Sequence, residues 1–245
     1  MKSEKKYSPL LLLLFLFACK KENNCDCLKR TGDIVKQERT VPYLRYFKFG
    51  KGKLNCFITN DSSYKVEIEA GNNLIDLIKT EVNGDTLTFS DYNKCNFSRS
   101  YKPQINIYLS TPDMAGIIQN GVGTIKSTNT LTGSFLSVET WSSGDITLDI
   151  DCHNFQSHLH KSTALTVTGK AANHYSSMWH NSTFFGENLK TTTTIVENNT
   201  TGNFYCTVDS LLNASIRLSG EIIYSGNPVI HVNDQGGSGK ITKKK

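Results

Sequence analysis

The chain has 245 residues, 38% of them hydrophobic and 20% charged, with 27 Lys+Arg against 22 Asp+Glu and a formal net charge of +5. So small a surplus, with Arg217 the one arginine beyond residue 100, excludes a nucleic-acid binder, which needs a basic stripe with aromatics on one face. The excess lysines gather instead at Lys20-Lys21 and at Lys243-Lys244-Lys245, as solvated ends.

Lys2, Lys5 and Lys6 precede the apolar run Leu10 to Phe17, which is too short to span a bilayer and reads as the core of an export signal. The run ends in Leu16-Phe17-Ala18-Cys19, which resembles the bacterial lipoprotein box. In that reading residues 1–18 are removed and Cys19 carries acyl chains, each buried CH₂ contributing about 0.8 kcal/mol of membrane affinity. The expected partner of this end is a membrane, probed by the lipid and not crossed by the chain. Residues 19–34 are read as the tether. Cys25-Asp26-Cys27 has neither redox nor metal-ligand spacing, and in an exported, oxidising setting a disulfide to Cys95 is the expected use. Which of Cys25 and Cys27 pairs with it stays open.

Between residues 35 and 113 the segments YLRYFKF (43–49), LNCFITN (54–60), YKVEIEA (64–70), TLTFSDY (86–92) and QINIYLS (104–110) alternate apolar and polar residues and read as strands. NNLIDLIKTEVNGD (72–85) reads as a connection ending in a turn. These strands are expected to form first coils or a cap. No Pro- or Ser-rich linker follows them, so residues 35–242 are read as one domain.

From residue 114 to 242 the chain repeats. A glycine-bearing turn followed by one large apolar residue recurs as NGVGTI, SSGDI and QGGSGKI. Aligning on the apolar residue gives Ile125, Ile146, Leu165, Phe185, Phe204, Ile222 and Ile241, about one every twenty residues. A column two residues later includes Leu148, Val167 and Cys206. A column about ten residues on contains Phe135, Phe155, Leu212 and Val229. FLSVET (135–140), DITLDI (145–150), LTVTG (165–169), FYCTV (204–208) and IRLSG (216–220) read as strands. The expected fold is therefore all-β: a single-stranded β-solenoid of coils of about 20 residues, stacked so that alternate side chains build one central column. Turn glycines would permit positive φ at the corners. Lys161-Ser162-Thr163 and Asn181-Ser182-Thr183 lack glycine, and Asn would supply the left-handed residue there. Cys152 and Cys206 are expected as buried free thiols.

The run NNLIDLIKTEVNGDTLTF, then NKCNFSRSYKPQINIYLSTPDM, then GVGTI, SSGDI, YSGNP and GGSGKI resembles the "head GIN domain" adhesin family. The resemblance covers residues 30–242. It implies a β-helical protein, in many members a lipoprotein, with no catalytic residues and no cofactor.

Several side chains were weighed for chemistry. Asp145, Asp149 and Asp151 point outward if Ile146, Leu148 and Ile150 point inward, and alternate strand residues lie about 7 Å apart, which suits paired acid–base carboxylates or calcium. Against an enzyme, a polysaccharide lyase would need basic residues to neutralise a uronate, and arginine is nearly absent. His158, His160, His174 and His180 lack a recurrent third ligand, so no metal site is assigned. Trp141, Tyr175 and Trp179, among hydroxyls and amides of the outer wall, suit binding of a glycan or a surface protein; they and the three aspartates form the candidate binding surface. The resulting reading is a lipid-anchored envelope adhesin, on the outer membrane and facing outward, without catalysis. The alternatives are a periplasm-facing structural protein and a polysaccharide-active enzyme.

Overall fold

The computed structural model describes residues 30–94 and 104–244. Among them are seventeen strands: β1 (Ile34–Glu38), β2 (Tyr46–Phe49), β3 (Leu54–Asn60), β4 (Lys65–Gly71), β5 (Ile78–Asn83), β6 (Thr86–Asp91), β7 (Ile105–Thr111), β8 (Gly116–Gln119), β9 (Ile125–Ser127), β10 (Leu131–Thr140), β11 (Ile146–Leu159), β12 (Ala164–His180), β13 (Thr183–Thr200), β14 (Phe204–Ile216), β15 (Ile222–Ser225), β16 (Val229–Gln235) and β17 (Ile241–Lys243). One 3₁₀ turn, Ile75–Leu77, precedes β5. From β8 onward the inter-coil pairing is parallel, as a solenoid requires. The long strands β11 to β14 run through one corner without breaking, so each contributes to two walls. On the first wall β9, β11, β12, β13, β14, β15 and β17 stack in order. On the second, β8, β10, β11, β12, β13, β14 and β16 do the same.

The N-terminal half closes one end. β2 and β3 carry the two walls on from β8 and β9, and β6 and β7 add one more parallel layer beyond them. The antiparallel strands β4, on β7, and β5, on β6, then bend the backbone away from further stacking. Residues 78–83, read as connection, are thus a strand. Of residues 216–220, read as a strand, Ile216 ends β14 and 217–220 are the turn after it.

Seven residues stand in register at the start of the first wall: Ile125, Ile146, Leu165, Phe184, Phe204, Ile222 and Ile241. The fourth is Phe184, fully buried, whereas Phe185 is 36% exposed. The same one-residue correction holds in the other column, which runs Leu136, Phe155, His174, Thr194, Leu212 and Ile230. Phe135 and Val229 point outward. Side chains alternate with period two, so an error of one residue exchanges core and surface, and Phe184-Phe185 offers no pattern to choose between them. Cys152, Cys206 and Cys56 are buried free thiols.

At the corner before the first wall the glycines serve close approach rather than positive φ, whereas Gly169 (φ 101°) within β12 and Gly226 (φ 95°) between β15 and β16 do take the expected left-handed φ. None of Gly123, Gly144, Gly202, Gly220 and Gly239 has φ in the left-handed range. A Cβ on Gly220 would sit 2.0 Å from the Gly202 carbonyl oxygen, and one on Gly239 2.1 Å from that of Gly220. Thr163 and Ser182 occupy this column in the two glycine-free coils, both buried. Their hydroxyls turn inward and donate to corner carbonyls, Thr163 to Ser142 and Ser182 to Trp179. The left-handed residues of those coils are Lys161 (φ 62°) and His180 (φ 63°), not Asn181. Buried amides secure other corners: Gln119 Nε2 donates to the Gly123 carbonyl at 2.6 Å and Asn198 Nδ2 to that of Gly220 at 2.9 Å.

One polar group interrupts the aromatic core. His174 is 2% exposed and lies 4.8 Å from the Phe155 ring and 4.9 Å from the Phe184 ring. Its Nε2 is 3.0 Å from Ser157 Oγ, which donates to Ser176, while its Nδ1 has no partner. Burial disfavours the imidazolium and pushes the pKa down to about 3.

Gly220→Ala should destabilise the fold by about 2 kcal/mol or more, since only backbone could move aside, as read by denaturant unfolding; an unchanged midpoint would refute the close-approach reading. For His174, the unfolded chain takes up a proton near pH 6.5 and the folded one does not until about pH 3. Stability contributed by the neutral imidazole is therefore complete above pH 6.5 and is lost as pH falls towards 3, by roughly 1.4 kcal/mol per pH unit at most. His174→Leu should lessen the slope of stability against pH in that window; equal slopes would refute it.

Candidate binding face

The second wall turns its outward residues to solvent as a flat parallel sheet. Because the coils stack in register, outward residues are also aligned, and Trp141 and His160, each just past a strand end, fall in one column with Trp179 near the end of β12. The Trp141 and His160 rings stack at 3.9 Å between centroids and 5° between planes. His160 and Trp179 follow at 6.4 Å and 8°. Trp141 Nε1 donates to Glu139, and the two indoles keep exposures of 44% and 40%. The indole faces turned to His160 are spent on it, so the ring edges line the wall. Burial between the rings lowers the His160 pKa from its ordinary value, against an opposing pull from Glu139.

Tyr175 stands on the same wall, four residues before Trp179 and so about 13 Å away along the strand. Its hydroxyl donates to Glu197 at 3.1 Å, and burial first, then Glu197, raises its pKa. Around it Phe135, Asn154, Gln156, Asn173, Thr193 and Ile195 line a shallow groove of about 280 Å³. The sequence pattern pointed to Tyr175 but not to this groove, because the lining residues come from four coils and share no local motif.

The aspartates lie elsewhere. Ile146, Leu148 and Ile150 do point inward, but Asp145 and Asp149 belong to the first-wall side of β11 and Asp151 to the stretch where it begins to pair with β10, so the candidate surface divides. Asp149 accepts hydrogen bonds from the hydroxyls of Thr130 and of Thr168, the latter at 3.0 Å. Asp151 pairs with Lys170 at 3.1 Å. Both carboxylates bind adjacent coils together, and Asp145 is exposed at the turn. Of the four histidines weighed as ligands, His174 faces the core and His158 bonds Ser177 at 2.9 Å; no group of three metal-ligating side chains occurs among the described residues. Cys19, Cys25, Cys27 and Cys95 lie outside the described residues.

Residues 50–228 match the model of the family described as "Putative auto-transporter adhesin, head GIN domain". The chain belongs to this family. The head GIN fold is also seen in solved structures. A "putative adhesin" of Bacteroides fragilis NCTC 9343 superposes with a TM-score of 0.79 at 20% identity, covering 88% of this chain and 100% of that one. A "putative adhesin" of Parabacteroides merdae ATCC 43184 gives 0.68 at 13%, covering 89% and 99%. A "Putative lipid binding protein" of Parabacteroides distasonis ATCC 8503 gives 0.67 at 18%, covering 89% and 100%. No curated protein matches. At these identities the likeness carries the head GIN architecture alone.

The division of the aspartates has a measurable consequence. Asp149→Ala should destabilise the protein by about 1–3 kcal/mol, leaving two threonine hydroxyls without their acceptor, while Asp145→Ala should change stability by less than about 0.5 kcal/mol. Thermal unfolding of both variants checks this; equal effects would contradict it.

Proposed function

We propose that this head GIN protein is a lipid-anchored cell-envelope binding module, an adhesin without catalysis, which recognises a glycan or a surface protein through its second wall. The observation that carries the reading is the Trp141–His160–Trp179 stack. Two large aromatic side chains stand exposed yet are held rigid by the ring between them. Binding through such side chains loses little conformational entropy, and tryptophan is the residue type most often found as an interface anchor. Membership in an adhesin family supports a place at the cell envelope. The lipoprotein-like Leu16-Phe17-Ala18-Cys19 supports attachment through Cys19, with the outer membrane and an outward orientation as the working assignment. A polysaccharide-cleaving reading is not favoured, because Asp149 and Asp151 are engaged with Thr130, Thr168 and Lys170. Nucleic acid is not favoured by the mild charge of the chain.

The test joins location to binding. Protease treatment of intact cells, beside lysed cells and a periplasmic marker, should remove the protein while the marker survives; loss only after lysis would favour the periplasm-facing alternative. On arrays of glycans and matrix proteins, the protein should retain ligands that Trp141→Ala with Trp179→Ala releases about tenfold or more faster. Silence of the folded protein across both arrays would overturn the binding reading.

A further inference from the structure

Most polar side chains that bridge coils in this solenoid are spent on the chain itself. Asn55 bonds Asn106, Thr191 donates to the Thr207 carbonyl, Asn198 secures the Gly220 corner, and Thr200 donates to the His180 carbonyl and accepts from the Gly202 N–H. The groove around Tyr175 departs from this. Asn173 Nδ2 donates to Asn154 Oδ1 at 3.0 Å, which leaves Asn154 Nδ2 as a free donor and Asn173 Oδ1 as a free acceptor. Gln156 and Thr193, also lining the groove, make no side-chain hydrogen bond to the described chain. One free amide, a half-used amide pair and a hydroxyl thus stand together in water with hydrogen-bonding capacity open.

Resting on the binding-module reading, we propose that this groove is a subsite for one or two units of a neutral, hydroxyl-rich glycan. The lining holds no charged side chain: Phe135, Asn154, Gln156, Asn173, Tyr175, Thr193 and Ile195 form its exposed part. A phosphate, sulfate or uronate would need a cation there, and the carboxylate beside the groove, Glu197, is already engaged by the Tyr175 hydroxyl. Uncharged donors and acceptors match sugar hydroxyls, which both donate and accept. Phe135, Tyr175 and Ile195 supply apolar surface for the C–H face of a pyranose, and Ile195 is 38% exposed. Adjacent coils stand about 4.8 Å apart, so amides on neighbouring coils bracket a single ring. The hydrogen bond from Tyr175 to Glu197 holds the phenol in place before any ligand arrives. The volume of about 280 Å³ lies at the small end of ligand sites, which limits the occupant to a short stretch of a longer chain.

The experiment titrates the whole protein, with ¹⁵N-labelled side-chain amides, against cellotetraose, mannotriose and N,N′,N″-triacetylchitotriose to about 10 mM, beside a sulfated heparin tetrasaccharide. Expected is a saturable shift of the Asn154, Gln156 and Asn173 amide signals with at least one neutral sugar. Asn154→Ala with Asn173→Ala should weaken that binding about tenfold or more without changing the unfolding midpoint by more than a degree or two, since both residues are at the surface. No shift with any neutral probe, shifts with heparin alone, or equal affinity of the double variant would each overturn the proposal. The array measurement with Trp141→Ala and Trp179→Ala reads the broader binding function independently, so a protein that keeps its array ligands but ignores these sugars loses only the subsite.

Discussion

The register of parallel stacking is the constraint on which the rest of this molecule depends. Each coil gives its backbone donors and acceptors to the coils above and below, so a residue's neighbours are the residues at the same place in the next coil. Column after column must then satisfy one requirement: apolar and well shaped inside, small at the tight corner, polar or soluble outside. Ile125, Ile146, Leu165, Phe184, Phe204, Ile222 and Ile241 meet the first requirement. Gly123, Gly144, Thr163, Ser182, Gly202, Gly220 and Gly239 meet the second, because backbone carbonyls of the previous coil lie where a larger side chain would go. Where a coil holds an extra residue, the strand absorbs it locally: β12 and β13 slip between Thr166 and Gly169, and β13 and β14 between Gly186 and Lys190. Bulges of this kind keep the columns on either side in step.

The same register organises the surface. Nothing about Trp141, His160 and Trp179 makes them neighbours except that they hold the same place in successive coils, yet their rings stack. The groove around Tyr175 arises likewise from Phe135, Asn154, Asn173 and Thr193 on four coils. A solenoid thus builds extended recognition surfaces without loops or lids, and the rigidity comes from the core columns beneath. Asp149 shows the converse. Its carboxylate joins Thr130 and Thr168 of flanking coils, so a group that looks reactive in isolation serves the stack.

The two ends of the stack are treated differently. Antiparallel strands β1, β4 and β5 cover the N-terminal end. At the other end β16 pairs with β14 and β17 with β15; Lys240 precedes β17, Lys243 ends it and Lys244 follows. Short strands and lysines discourage edge-to-edge association of a free sheet edge.

Much of this was legible in the chain itself. The twenty-residue recurrence, the period-two alternation and the cap strands are local signals, and each follows from a residue's own preference for inside or outside. Membership in the head GIN family was legible for the same reason, since the turn and strand motifs keep their order. What only the tertiary structure decided is which residues share a column. Phe184 rather than Phe185, Leu136 rather than Phe135, a histidine buried between phenylalanines, and the glycines of one corner chosen for close approach rather than for φ are all consequences of how one coil sits on the next. Coil lengths vary by a residue or two, and period-two side chains turn each such change into a choice between core and solvent. That choice is made by contact across coils, which no single stretch of sequence contains.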